Sequence, residues 1–410
     1  MIASLKTLLA IPYFPRLLLA RTISNLGNGI SPVALAFGVL SITGAQPSDL
    51  SAVMAARTFP ILIMLVVGGA IADRYGRAKA MGITDLTLGF LIIISALSFI
   101  LAMPSVLLLI VIGVLAGLLN GIWYPAFSGL MPVVVPKEHL QNGNAVVGFG
   151  SNIAFLLGTA AGGILIATVG VGWAILIDGL TFIVAGIMIM GISKLPQKGV
   201  GEEAKVTLFK DIKLGWGEFI SRPWIWVIVF AFSFINLAFE AAYAVLGPLQ
   251  SKEAYDGAPS WAWVLGALSF GMLLGSLVAM KVRPKRPLLV AMLGLLPLPL
   301  MIGAMGQALP LTIVIVFAVL AGIGLDVFYV LWMTSLQNNV PEEALSRVTS
   351  YDAFGSFIFG PLGIAIAGPL AMIFGVSETL LIGALIAMIF ILIPMAVPAV
   401  SRLRSAPTAS

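Results

Sequence analysis

Twelve apolar runs, each close to the roughly 20 residues a helix needs to cross a bilayer, constrain this chain more than any other feature. Broken by Pro, Gly and charge, they fall at 16–41, 50–73, 80–102, 105–131, 143–168, 171–192, 224–249, 260–281, 287–306, 310–338, 345–373 and 377–400. Hydrophobic residues make up 60% of the chain and charged ones 10%, too few charges to cover a soluble fold of this size. The expectation is an all-α membrane protein with twelve transmembrane helices. The first run lacks a small-residue cleavage site and reads as a crossing, not a removable leader. With no cysteine and a single histidine, His139, disulfides, thiol catalysis and a His-based triad are excluded, and no metal site is expected. No nucleotide-binding loop, H-E-x-x-H or G-x-S-x-G is present, so neither an enzyme nor a cofactor is expected.

Lys and Arg outside the runs or within three residues of their ends set the orientation. Nineteen lie on the side that holds both termini and one, Lys252, on the other, while Arg21 and Arg57 sit inside runs. This predicts a multi-pass cell-membrane protein with both termini in the cytoplasm. The same bias accounts for the net charge of +5 through cytoplasmic loops beside anionic headgroups, so membrane lipid is an expected partner and nucleic acid is not. No obligate protein partner is implied.

The chain also repeats itself. Shifted by 205 residues, Val114-Leu115-Ala116-Gly117 falls on Val319-Leu320-Ala321-Gly322, Phe149-Gly150-Ser151 on Phe354-Gly355-Ser356, and Gly170-Val171 on Gly375-Val376. Of the 64 positions from 114 to 177, 22 are identical to those 205 later, which matches crossings four to six with ten to twelve. The expected domains are a six-helix bundle at 1–192, a polar cytoplasmic linker at 193–223 and a second, pseudo-symmetric six-helix bundle at 224–410. Within the linker Phe209, Ile212, Trp216, Phe219 and Ile220 recur at helical spacing while Lys210, Asp211, Lys213 and Glu218 face away, the pattern of a surface-lying amphipathic helix.

Two parallel six-helix halves are the layout of the major facilitator superfamily, and particular residues carry that resemblance. Gly69, Asp73, Arg74, Gly76 and Arg77, between crossings two and three, resemble its loop signature G-x-x-x-D-R-x-G-R. Gly121 to Ala126, Leu140 to Ala145, and Arg21-x-x-Ser24-Asn25-Leu26-Gly27 resemble the branch that contains the enterobactin exporter and macrolide efflux pumps. The chain departs from drug–proton antiporters of the superfamily at Gly117, where they carry Arg, at Thr159, where they carry Pro, and at Asn28, where the exporter branch often has an acid. The resemblance implies that crossings one, four, seven and ten line a central cavity, and that the Asp73–Arg77 loop is a cytoplasmic gate.

Seven ionisable residues lie more than three residues inside the ends of the runs: Arg21, Arg57, Asp85, Asp178, Glu240, Asp326 and Asp352. All facing lipid, they would oppose insertion by about 20 kcal/mol together, so most must face a cavity or a partner. Arg21, Asp85 and Asp352 lie within two turns of cytoplasmic ends, where snorkelling or structural pairing serves equally well. Polar residues share helix faces on the four cavity-lining crossings: Arg21, Asn25 and Asn28; Asn120, Trp123 and Tyr124; Asn236, Glu240 and Tyr243; Asp326 and Tyr329. These are the candidate substrate-cavity residues. Glu240, just beyond the middle of crossing seven, and Asp326, near the middle of crossing ten, are the candidates for proton coupling, since a buried carboxylate unpaired with a cation is suited to carry a proton. The resulting expectation is a proton-coupled exporter of a small amphipathic or hydrophobic molecule working by alternating access, with lipid or lysolipid movement and solute uptake as the alternatives.

Overall fold

In the computed structural model, which describes residues 2–192 and 216–404, every regular element is helical. The first part of the chain forms α1 (Ile2–Leu9), α2 (Phe14–Ser41), α3 (Pro47–Tyr75), α4 (Arg77–Ile100), α5 (Val106–Val134), α6 (Leu140–Val169) and α7 (Val171–Met190). The second part begins with α8 (Pro223–Ala241), α9 (Gly247–Ala254), α10 (Ala258–Lys281), α11 (Pro287–Gly294) and α12 (Pro297–Gly306). It continues with α13 (Leu311–Asn339), α14 (Glu342–Phe357), α15 (Gly360–Phe374), α16 (Val376–Ala396) and α17 (Pro398–Ser401). Eleven helical spans among the described residues are long and apolar enough to cross a membrane, and twelve when α3, bent by 69° between Met64 and Val67, counts as one. Large apolar side chains such as Phe90, Ile164, Ile187, Phe230 and Ile373 stand exposed along these spans, as a lipid-facing surface requires and a soluble monomer does not tolerate.

By contacts the chain divides into two units, residues 1–203 with 257–262, and 204–256 with 263–410. In the first, α3 packs on α5, α4 on α7, and α2 against both α6 and α7. In the second, α8 packs on α14, α15 and α16, and α12 on α16. Apolar helices gain nothing from hiding apolar faces from lipid, so their association depends on close approach at small residues. The repeat supplies these. A Cβ at Gly158 would strike the Leu26 carbonyl, and one at Gly363, 205 residues later, the Leu237 carbonyl. Likewise Gly117 lies on the Arg57 carbonyl and Gly322 on the Leu268 carbonyl. Gly170 (φ 88°) and Gly375 (φ 96°) make the equivalent reversals into α7 and α16, in a region that favours glycine.

Prolines place the breaks. After α8 the chain widens into a π-helical turn, Ala242–Leu246, one turn before Pro248, whose ring crowds the preceding turn and whose nitrogen donates no hydrogen bond. The crossing expected at 287–306 is split before Pro297, and that at 345–373 before Pro361. Helix α6 stays whole for 30 residues because Phe155-Leu156 occupy the places of Gly360-Pro361 in the repeat.

Other expectations shift. Helix α1 precedes the first expected crossing and was not anticipated; it turns into α2 through Tyr13 (φ 68°) and seats Leu8 in the core beside Phe14, Leu17 and Met81. Polar turns lengthen several helices, so α6 starts at Leu140 and α14 at Glu342. Of the expected linker helix, Phe209, Lys210, Asp211, Ile212 and Lys213 lie outside the described residues. Its end, 216–220, is helical; Phe219 is buried against Tyr351 while Trp216 and Ile220 stay exposed.

The glycine contacts predict that Gly158→Val and Gly363→Val each force two backbones apart. Thermal melting of the purified protein in detergent is expected to show each variant destabilised by about 1–3 kcal/mol, with Gly148→Ala, where a Cβ meets open space, melting as wild type.

Candidate functional site

Within the first unit one cavity of about 200 Å³ collects the polar face of α2, Arg21, Ser24, Asn25 and Asn28, together with Asn120, Trp123 and Tyr124 of α5. Phe155 of α6 and Phe182 of α7 close it, and Asp85 of α4 completes the wall. The candidate residues Arg21, Asn25, Asn28, Asn120, Trp123 and Tyr124 therefore meet in one place. The Arg21 guanidinium lies 4.2 Å from the Trp123 ring centroid and 4.6 Å from that of Phe127, and the two rings stack at 5.3 Å. Such cation–π contacts contribute about 0.5–2 kcal/mol each. Asp85, 3% exposed, lines the same cavity as Arg21 and Trp123.

The asparagines are oriented by their own helices. Asn25 Nδ2 donates to the Arg21 carbonyl at 2.8 Å and Asn120 Nδ2 to the Ala116 carbonyl at 2.8 Å. A carbonyl only accepts, so the amide nitrogen is fixed there and each Oδ1 remains an acceptor. Sequence reasoning left Asp85 undecided between snorkelling and pairing. The signal that locates it is depth: Arg21 and Asp85 each lie about two turns from the first residue of a helix that starts at the same end of the unit.

The second unit spreads its candidates out. Asn236, 6% exposed, donates to the Ser356 carbonyl at 2.9 Å and is thus turned onto α14. Ser356 Oγ donates to Asp352 Oδ1 at 3.2 Å and Trp332 Nε1 to Asp352 Oδ2 at 2.9 Å. Asp352 thus has both oxygens bonded inside a neutral network, which is the structural role. Glu240 packs its side chain against Gly360 at the start of α15 and has no hydrogen bond or ion pair to a described residue. Asp326 packs against Gly275 of α10, and its Oδ2 is buried without a partner. Tyr243 lies in the π-helical turn, 5.6 Å from the Phe239 ring. Tyr329 is exposed.

The carboxylates follow a pattern in the repeat. Leu26 and Leu237 are equivalent by their glycine contacts, which makes Gly29 the counterpart of Glu240. Gly29 lies on the backbone at Phe155, and Glu240 on Gly360, 205 residues after Phe155. Asp326 stands 205 residues after Gly121; Gly121 lies on Met64, and Asp326 on Gly275. Each carboxylate replaces a glycine, and a glycine opposite makes room for it.

At the loop between α3 and α4, Gly76 (φ 89°) reverses the chain. Arg77 Nε pairs with Asp73 Oδ1 at 2.7 Å, and Arg77 Nη1 donates to the Gly129 carbonyl of α5 at 2.6 Å. The loop is thereby latched to its own unit. Arg74 passes over the neighbouring Tyr75 ring at 5.9 Å, and Gly69 is in ordinary contact with Pro125.

Comparison with known proteins agrees with this architecture. A family model described as Major Facilitator Superfamily matches residues 17–363. The multidrug efflux pump Tap of Mycolicibacterium fortuitum is 27% identical over 391 residues, covering 89% of this chain and 90% of that protein. The enterobactin exporter EntS of Escherichia coli O139:H28 is 26% identical over 394 residues, covering 93% and 92%. Among solved structures, the nucleoside transporter NupG superposes with a TM-score of 0.72 at 12% identity, covering 94% of this chain and 99% of that one. A bacterial homolog of the human lysosomal transporter Spinster gives 0.68 at 15%, covering 97% and 99%; both likenesses concern the fold.

Arg77→Lys keeps the charge but loses the fork that serves Asp73 and Gly129 together. With the pair partly solvated, a loss of about 1 kcal/mol is expected, read as lower melting and faster cleavage of the loop under limited proteolysis.

Proposed function

This chain belongs to the major facilitator superfamily, a multi-pass membrane transporter of small molecules, and from that premise we propose that it exports an amphipathic molecule by alternating access coupled to protons. Export is supported by the likeness, over about nine-tenths of the chain, to a multidrug efflux pump and an enterobactin exporter. The chemistry of the first unit's cavity fits an amphipathic cargo: aromatic rings for an apolar body and amide acceptors for its hydrogen-bond donors. The proposed location is the cell membrane, with both termini in the cytoplasm.

The observation that carries proton coupling is the paired exchange at Glu240 and Asp326. Carboxylates placed at helix contacts, with no cation facing them among the described residues, are costly as fixed anions. They are serviceable as proton carriers, neutral in one state and charged in the other. The Asp73–Arg77 latch is proposed as the gate, because an ion pair on an interhelical loop biases a two-state opening.

Inverted vesicles supplied with ethidium under an imposed pH gradient test this. One pH unit drives about a tenfold concentration ratio per coupled proton. Glu240→Gln with Asp326→Asn is expected to cut gradient-driven accumulation by about tenfold or more while ethidium exchange down its own gradient continues. Undiminished accumulation in the double variant would remove the proton assignment.

A further inference from the structure

A second polar cavity in the first unit lies one helical turn beyond the substrate cavity. Its volume is about 50 Å³, and its polar lining is Ser31, Arg57, Ser95 and Asp178 among otherwise apolar side chains. Four helices wall both cavities, each with a step of a turn: Asn28 then Ser31 on α2, Asp85 then Leu88 on α4, Asn120 then Ala116 on α5, Phe182 then Asp178 on α7. Arg57 and Asp178 thus face one small space.

The pairing is indirect. Arg57 Nη1 donates to Ser31 Oγ at 3.0 Å, while Asp178, 2% exposed, has an Oδ1 with no hydrogen-bond partner. Thr181 does not relieve it, because its hydroxyl donates to the Asp178 main-chain carbonyl at 2.7 Å. Arg57 is the charged group that faces Asp178 from α3. Helix α2 presents Gly27 and Ser31, α4 presents Ser95, and α5 presents only apolar residues. Helix α6 carries no charge along its length, and Arg21 and Asp85 line the neighbouring cavity.

Asp178 also obeys the exchange seen at Glu240 and Asp326. Its counterpart 205 residues later is Gly383, which meets Ala238, whereas Asp178 and Thr181 meet Gly27 on α2. The first unit has therefore acquired a carboxylate, with a glycine opposite, where the second has none. Asp352 differs, its two oxygens being closed by Trp332 and Ser356. A water needs about 30 Å³ and two to four polar partners; the cavity offers the volume, and the serines, guanidinium and carboxylate offer the partners. An unsatisfied carboxylate oxygen in an apolar bundle calls for a water or a proton.

We propose that Asp178, with Arg57, Ser31 and Ser95 around one or two waters, is a proton-binding site of the first unit, separate from Glu240 and Asp326. The proton sits on the Asp178 carboxylate when the site is loaded and passes to the cavity water when it empties. Because Phe182 and Asn28 lie one turn away on the same helices, loading is sensed at the substrate cavity.

Infrared difference spectra of the full protein in liposomes, taken across a pH titration, test proton binding without any substrate. A carboxylic-acid C=O band that titrates in wild type is expected to persist in Glu240→Gln with Asp326→Asn and to vanish in Asp178→Asn. Bands that titrate identically in wild type and Asp178→Asn would overturn the proposal. In ethidium vesicles, Asp178→Asn is expected to cut gradient-driven uptake by about tenfold, one pH unit's worth of drive, and to leave exchange within about twofold. If exchange and melting fall as far as uptake, and Asp178→Asn with Arg57→Gln restores all three, the pair is a packing strut and the proposal fails. The infrared result stands apart from the export reading, since it does not depend on what is carried.

Discussion

Close backbone contact through glycine is the interaction on which the rest of this structure depends. In lipid, apolar side chains gain little by facing each other instead of acyl chains, so helices associate where small residues let main chains touch. Gly158 on the Leu26 carbonyl and Gly363 on the Leu237 carbonyl are the same contact built twice, as are Gly117 on Arg57 and Gly322 on Leu268. These contacts fix helix spacing and rotation, and rotation decides which polar side chains face a cavity and which face a neighbour.

The same contacts explain how carboxylates enter so apolar a bundle. At each glycine contact a little volume can be moved from one helix to its partner without changing the spacing. Glu240, Asp326 and Asp178 each use that freedom, with Gly360, Gly275 and Gly27 giving way opposite. None of the three is closed off by neutral donors in the manner of Asp352. Asp352 is thus locked by hydrogen bonds, whereas Asp178 and Asp326 each keep a buried carboxylate oxygen without a partner among the described residues.

The first unit places its polar groups differently. Arg21 is held over two stacked rings, and two asparagines are steered by bonds to their own helices. These three side chains are held in place by groups of the unit itself. The breaks before Pro361 and around the π-helical turn belong to the second unit, close to Glu240, so its carboxylate sits where backbone regularity is weakest.

Much of this was legible in the order of residues. Hydropathy over windows of bilayer length set the crossings, because a helix in lipid satisfies its own backbone and needs little from its neighbours. The 205-residue repeat and the Asp73–Arg77 loop were equally plain, and the shared faces of α2 and α5 found six of the residues that line the larger cavity. Helix α1 was missed because eight residues carry too short a period to read. Asp85 joining Arg21, Asn236 turning onto Ser356, and Asp178 and Arg57 sharing a water-sized space were decided only by the tertiary structure. Spacing along a helix places a side chain on a face. Which neighbour that face meets depends on helix rotation and crossing, and those are set by glycine contacts between segments distant in the chain.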